Sequence, residues 1–197
     1  MKNTLLFCTG LSGSGKSYFI QNNLPSGLFY CLKSMTTRPM RDGEREGEPY
    51  FFRAESDFNT TPLVTHLWVN QEFWRPGVPK WLYGVPESEV LNNIGRNLVY
   101  DVIQPKYVRQ MIDWFKKNDL SRKYNFRIAY FLSPESNLET ARKRANMPND
   151  TAVRALNTCD PCDFLDAGLD IDYILNPRSG KLNNRMIAHI NRLQRMR

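Results

Sequence analysis

Apolar and polar positions alternate along the chain in blocks that predict strands and helices in turn. The run Thr4-Leu5-Leu6-Phe7-Cys8 is unbroken, as expected of a strand buried on both faces. Residues 18–24 follow with room for two helical turns before Pro25 interrupts. Residues 28–32 predict a second strand, and residues 34–49 are polar, turn-rich and densely charged before Tyr50-Phe51-Phe52 resumes apolar character. Residues 63–69 predict a further strand. A loop over 71–82 holds Pro76, Gly77 and Pro79, with Phe73, Trp74 and Trp81 around it. Residues 86–94 predict a helix with Pro86 in its first turn. A strand over 97–103 ends near Asp101, and Val108, Met111, Ile112 and Phe115 then fall on one helical face. A strand over 126–132, a helix over 134–144, a strand over 171–175 and a helix over 181–196 complete the order. The last helix carries Leu182, Met186, Ile190 and Leu193 on one stripe. This alternation predicts an α/β fold with a mostly parallel sheet and helices on both faces. There is no internal repeat and no low-complexity tract.

The chemistry starts where the first strand meets the first helix. Gly10-Leu11-Ser12-Gly13-Ser14-Gly15-Lys16-Ser17 reads G-x-x-x-x-G-K-S, the pattern of a phosphate-binding loop. Its glycines let backbone N–H groups turn inward onto phosphate oxygens. Lys16 supplies a mobile charge for the β- and γ-phosphates, and the Ser17 hydroxyl is a candidate Mg²⁺ ligand. The sequence therefore predicts binding of a nucleoside triphosphate, with Leu11, Ser12, Gly13, Ser14, Gly15, Lys16 and Ser17 forming the cradle.

Composition narrows the class without changing it. At 197 residues and 41% hydrophobic, the chain can bury one good core. No run approaches the roughly 20 apolar residues that cross a bilayer, and Met1 to Thr4 leads straight into a strand, so the expected location is the cytoplasm. Net charge is +7, which suits an enzyme handling polyanionic nucleotides; without a basic tail or a nucleic-acid module, nucleic acid is not the expected partner. Cys8 and Cys31 fall in predicted strands as small hydrophobes, and Cys159-Asp160-Pro161-Cys162 lacks the further ligands of a zinc site.

The segment Ser34 to Tyr50 places Arg38 and Arg41 three apart beside hydroxyls and a tyrosine. Such a set can clamp a second phosphate, since arginine pairs bidentately with phosphate oxygens. It can equally be a solvated loop in which Glu44, Glu46 and Glu48 pair with Arg38, Arg41 and Arg45. The pattern S-x-T-T-R-P-x-R-x-G-E-x-x-G-x-x-Y-x-F, from Ser34 to Phe52, resembles the monophosphate-binding segment of guanylate kinases. The likeness continues through Phe58 opening a short helix, Tyr83-Gly84, Asp101, an arginine-rich segment at 142–154, and Asp172 to Asn176. It covers most of the chain in order.

The resemblance implies a single domain of the P-loop NTPase type, a three-layer α/β/α core with a small monophosphate-binding subdomain and a lid. Its core would be 1–33, 95–135 and 168–197, its acceptor-binding subdomain 34–94, and its lid 136–167. It further implies that Ser34, Arg38, Arg41, Tyr50 and Tyr83 hold the acceptor's phosphate. Arg144 and Arg154, with help from Arg142, would join Lys16 on the transferring group, and Asn176 would lie near adenine. Asp101 could hold Mg²⁺ through water or contact the acceptor. The implied activity is ATP- and Mg²⁺-dependent phosphorylation of a nucleoside monophosphate, with GMP favoured, by a monomer or weak dimer.

Base recognition departs from the family pattern. Val85 follows Tyr83-Gly84 where guanylate kinases have Ser or Thr, and counting from Phe58 puts Val69 at the glutamate position. Glu72 is the favoured substitute reader, with Thr65 or His66 as other candidates. Tyr-Gly-Val with His and Trp upstream is similar to ribose 1,5-bisphosphate phosphokinases. The alternatives are therefore another phosphorylated acceptor, or a non-catalytic binding module of the same fold.

Overall fold

A computed structural model of the chain describes residues 2–10, 14–25, 27–69, 81–102, 104–132, 161–176 and 180–195. The chain divides into two compact units, 1–31 with 95–197, and 32–94.

The first unit is built on a five-stranded parallel sheet with strand order β10-β9-β1-β8-β2. Its strands are β1 (Asn3–Gly10), β2 (Tyr30–Cys31), β8 (Leu98–Asp101), β9 (Tyr124–Phe131) and β10 (Tyr173–Leu175). β1 lies at the centre, paired with β8 and along its whole length with β9. Burial on both faces explains its apolar run. On one face Leu6, Cys8, Ala129 and Phe131 pack with Phe19 of α1 (Lys16–Asn22) and with Met186 and Ile190 of α6 (Gly180–Arg195). On the other, Phe115 of α4 (Pro105–Lys117) sits edge-on to Tyr124 and Phe126, and Phe164 of α5 (Pro161–Asp166) meets Tyr130. The sheet thus has helices on both sides, the expected three layers.

The second unit holds a mixed sheet, order β4-β5-β3-β7-β6. It comprises β3 (Ser34–Thr36), β4 (Arg45–Glu46), β5 (Pro49–Phe52), β6 (Leu63–Val69) and β7 (Trp81–Pro86), with α2 (Glu55–Thr60) and α3 (Glu87–Leu91). β3 runs parallel to β5 and antiparallel to β7, and β6 is antiparallel to β7. Met35, Phe58 and Leu82 form its small core, with Phe51 and Leu63 against it.

Several boundaries differ from the sequence reading. The strand expected over 28–32 shrinks to Tyr30–Cys31, because β2 is an edge strand and the Leu28 carbonyl is taken by the Asn97 side chain. Two short strands, β3 and β4, lie inside the polar stretch 34–49, where alternation over two or three residues is too brief to register. The loop expected through residue 82 gives way to β7 at Trp81. The helix expected over 86–94 is confined to Glu87–Leu91, with Pro86 as its N-cap and Gly95 turning at φ +93°. The predicted helix over 134–144 and the loop 71–80 lie outside the described residues.

Candidate active site

In a parallel sheet ligands collect at the carboxyl ends of the strands, and that edge gathers the nucleotide residues of the first unit. β1 ends at Gly10, β8 at Asp101, and Asn176 follows the last residue of β10. Gly10 is obligatory: its φ is +129°, and a Cβ there would lie 2.5 Å from the Phe131 carbonyl oxygen. Gly15 takes the left-handed conformation, φ +90°, immediately before α1. Lys16 is buried, and its Nζ donates to the Gly10 carbonyl at 2.9 Å. That bond folds the ammonium back over its own loop.

The Ser14 hydroxyl is buried and has no hydrogen-bond partner. An unsatisfied buried hydroxyl costs on the order of 1–3 kcal/mol, which a phosphate oxygen arriving in the loop would relieve. Ser17 is exposed and donates from Oγ to Asp101 Oδ2 at 3.0 Å. Two hard oxygens side by side at a phosphate loop match Mg²⁺, which is bound by one or two protein oxygens plus phosphate and water. Beneath this contact, burial and then the neighbouring Asp101 charge push the Cys8 thiol well above its usual pKa, so it stays a neutral packing group.

The second unit gathers the other set. Arg38 is almost wholly enclosed, with a 1% exposed side chain, and its Nη2 donates to both Glu44 oxygens at 2.8 and 2.9 Å. Nη1 donates to the Pro39 carbonyl at 2.7 Å, and Nε has no hydrogen-bond partner. The guanidinium carbon lies 5.4 Å from the Tyr50 ring centre and 5.5 Å from that of Phe52. Tyr50 meets Tyr83 edge-on at 5.7 Å. Burial would lower the Arg38 pKa, but the Glu44 and Tyr83 contacts outweigh it and hold the guanidinium charged. Glu44 Oε2 also accepts the Arg41 N–H at 2.8 Å, so one carboxylate fixes both arginines. Burial raises the Glu44 carboxyl, yet the Arg38 hydrogen bond, the Arg41 N–H and both positive charges leave it below the ordinary carboxylate value.

The pairing reading of this loop is the one seen directly. Glu44 pairs with Arg38 and lies 4.0 Å from Arg41, and the Arg38 side chain is enclosed, not solvated. Glu46 pairs with Arg53, outside the expected trio. Ser34, Arg38, Arg41, Tyr50 and Tyr83 are brought together; Leu11, Ser12, Gly13, Glu72, Arg142, Arg144 and Arg154 lie outside the described residues. Among the base-reading candidates, His66 is exposed and stacks on Phe58 with ring centres 6.3 Å apart. Val69 pairs with Trp81, and Thr65 pairs with Val85. Sequence reasoning missed Glu44 as the organiser of the cluster, although its place three residues after Arg41 was the available signal.

No protein-family model matches the chain. The guanylate kinase of Malacoplasma penetrans is 31% identical over 146 residues, covering 72% of this chain and 68% of that protein. The chain belongs to the guanylate kinase family. The guanylate kinase of Ehrlichia chaffeensis is 29% identical over 162 residues, 77% of this chain and 68% of its own length. For the fold, the crystal structure of guanylate kinase from Anaplasma phagocytophilum superposes with a TM-score of 0.56 at 19% identity, covering 100% of this chain and 88% of that one.

Proposed function

We propose that this guanylate kinase family member transfers the γ-phosphoryl group of ATP to the phosphate of a nucleoside monophosphate, converting GMP to GDP. The observation that carries the reading is Arg38: a buried guanidinium with an unpaired Nε–H, in a chain that also holds a phosphate-binding loop. Such a donor is costly unless an anion meets it.

Lys16 exchanges the Gly10 carbonyl for the β- and γ-phosphates, and the Ser14 hydroxyl and loop N–H groups complete the cradle. Ser17 and Asp101 would hold Mg²⁺, which supplies charge neutralisation across those phosphates when bound. Asn176 lies at the strand edge suited to adenine. On the acceptor, Ser34, Arg38, Arg41, Tyr50 and Tyr83 bind the phosphate. Its oxygen is anionic near neutral pH, so attack needs alignment and charge stabilisation rather than a general base. The family resemblance assigns Arg144 and Arg154, assisted by Arg142, to the transferring group.

ADP release, measured with ATP, Mg²⁺ and a panel of monophosphates plus ribose 1,5-bisphosphate, tests the reading. Turnover with GMP is expected. Arg144→Ala and Arg154→Ala should each lower kcat far more than they raise the KM for ATP, as befits groups that act in the transition state. Absence of turnover with every monophosphate, in protein that binds ATP, would refute the proposal.

A further inference from the structure

The nucleotide residues of the first unit gather at the carboxyl edge of its parallel sheet, and chain order brings a different set to the amino edge. Lys2 precedes β1, and Arg96 stands two residues before β8 begins at Leu98. β9 begins at Tyr124, directly after a short 3-10 turn, Ser121–Lys123, that carries Arg122 and Lys123. Register sets these starts side by side: Asn3 pairs with Tyr124, and Leu5 with Leu98. The Asn97 side chain also accepts the Thr4 N–H at 2.9 Å, which fixes the chain next to Arg96 against β1. Neighbouring strands lie about 4.8 Å apart, so the chain at Arg96, Lys2 and Lys123 spans about 10 Å across three strands.

Lys2, Arg96, Arg122 and Lys123 are all exposed. α4 ends at the same edge with Lys116 and Lys117, which also suit the carbonyl end of that helix. The segments that build the edge, 2–5, 95–98 and 116–124, hold six Lys and Arg and one acid, Asp119. Lys116 reaches a further acid, Asp113, at 3.8 Å. Gly10, at the carboxyl end of β1, is about 23 Å away along the strand, so these cations take no part in holding the triphosphate.

Such a surface fits a polyanion, and two observations favour nucleic acid over a bilayer. A lipid-binding face adds apolar side chains that enter the membrane. The exposed large apolar residues of this unit, among those described, are Tyr18, Leu132, Leu165 and Ile174, which belong to α1, the end of β9, α5 and β10. The edge has a stacking element instead: the Arg96 guanidinium carbon lies 4.7 Å from the Tyr30 ring centre. Single strands are held by cations on their phosphates together with aromatic or guanidinium planes under their bases.

We propose that the amino edge of the parallel sheet docks single-stranded nucleic acid, with Lys2, Arg122 and Lys123 on its phosphates and a base stacked on Arg96.

The test titrates the wild-type chain against a fluorescein-labelled oligouridylate, read by anisotropy over a range of salt. Three phosphate contacts at about −0.7 each give a slope of log K against log salt of about −2. Replacing Arg122 and Lys123 together by alanine should flatten that slope by about 1.4. Arg96→Lys keeps the charge but removes the plane, so affinity should fall at least about fivefold with the slope unchanged. Replacing Lys106 and Arg185 together by alanine removes the same charge from the first turn of α4 and from α6, and should leave the slope as it is. Turnover of ATP with GMP should be the same in the edge variants as in wild type. No binding by the wild type, or equal flattening in the Lys106 and Arg185 variant, overturns the proposal. Wild-type affinity in Arg96→Lys would make the edge a surface for polyanions in general, and tighter binding to phosphatidylserine vesicles than to oligouridylate would make its partner a membrane; each result overturns the assignment to nucleic acid.

Discussion

Replacing Glu44 by alanine should loosen the acceptor site before it touches any substrate. The substitution removes both oxygens that accept from Arg38 Nη2 and the acceptor of the Arg41 N–H. It leaves a guanidinium with a 1% exposed side chain that has lost its carboxylate and keeps the Pro39 carbonyl on Nη1. Breaking a fully buried pair costs about 3–5 kcal/mol. Glu44 keeps 19% exposure, so water can reach part of the vacated space and the cost falls to about 2–3 kcal/mol. At about 2–4 °C per kcal/mol for a chain of this size, the melting temperature should drop by about 4–12 °C. The KM for GMP should rise at least tenfold, because Arg38 loses the contacts that present it, while the KM for ATP stays put. Glu44→Gln keeps one acceptor oxygen and should fall between the two. The acid limb gives an independent check. The folded carboxyl lies below its ordinary value of 4.5, so its contribution is complete above that pH and is lost as pH falls through the lower folded value. Wild type should therefore lose stability more steeply than Glu44→Ala below about pH 4.5. A variant that melts within 2 °C of wild type, with an unchanged KM for GMP, would refute the argument that Glu44 organises the cluster.

Two further outcomes follow from particular contacts. Lys16→Ala removes the mobile cation whose resting partner is the Gly10 carbonyl; kcat should fall by at least a hundredfold, with an unchanged circular dichroism spectrum, since a charged contact of about 1.5–3 kcal/mol strengthens as charge develops. Gly84→Ala places a Cβ 2.7 Å from the Thr65 carbonyl oxygen and 3.0 Å from Leu63 Cδ1; forcing β6 off β7 should cost about 2–3 kcal/mol in denaturant unfolding, and an unaltered midpoint would show that the strands yield freely.

What could be read from the sequence depended on how far apart the interacting residues lie. β1 and α4 were legible because each pattern persists: seven consecutive residues of β1 are buried, and Val108, Met111 and Phe115 repeat on one helical face. The phosphate loop was legible because its glycines and Lys16 are contiguous. β3, by contrast, is three residues long, and only Met35 of the three reaches the core. Nothing in Ser-Met-Thr separates a strand from a loop until Tyr50, Phe51 and Phe52 pair beside it. β7 was obscured by its neighbourhood: Trp81 and Leu82 adjoin a proline-rich stretch, and composition assigned them to it.

The same contrast divides the acceptor site in two. Its proposed phosphate half falls within residues 34 to 53 and Tyr83, with Arg38, Arg41 and Glu44 close together in the chain, so a linear motif could announce it. Where counting from Phe58 leads depends instead on strand register. Counting forward from Phe58 arrives at Val69, but α2 ends at Thr60 and β6 begins at Leu63, and a register shift between Leu63 and Thr65 then resets the pairing. Thr65, four residues before the counted position, is the one set beside Val85. His66, its immediate neighbour, lies on the other face of the strand and stacks on Phe58. A shift of one residue in a strand exchanges the face that meets the ligand for the face that meets the core.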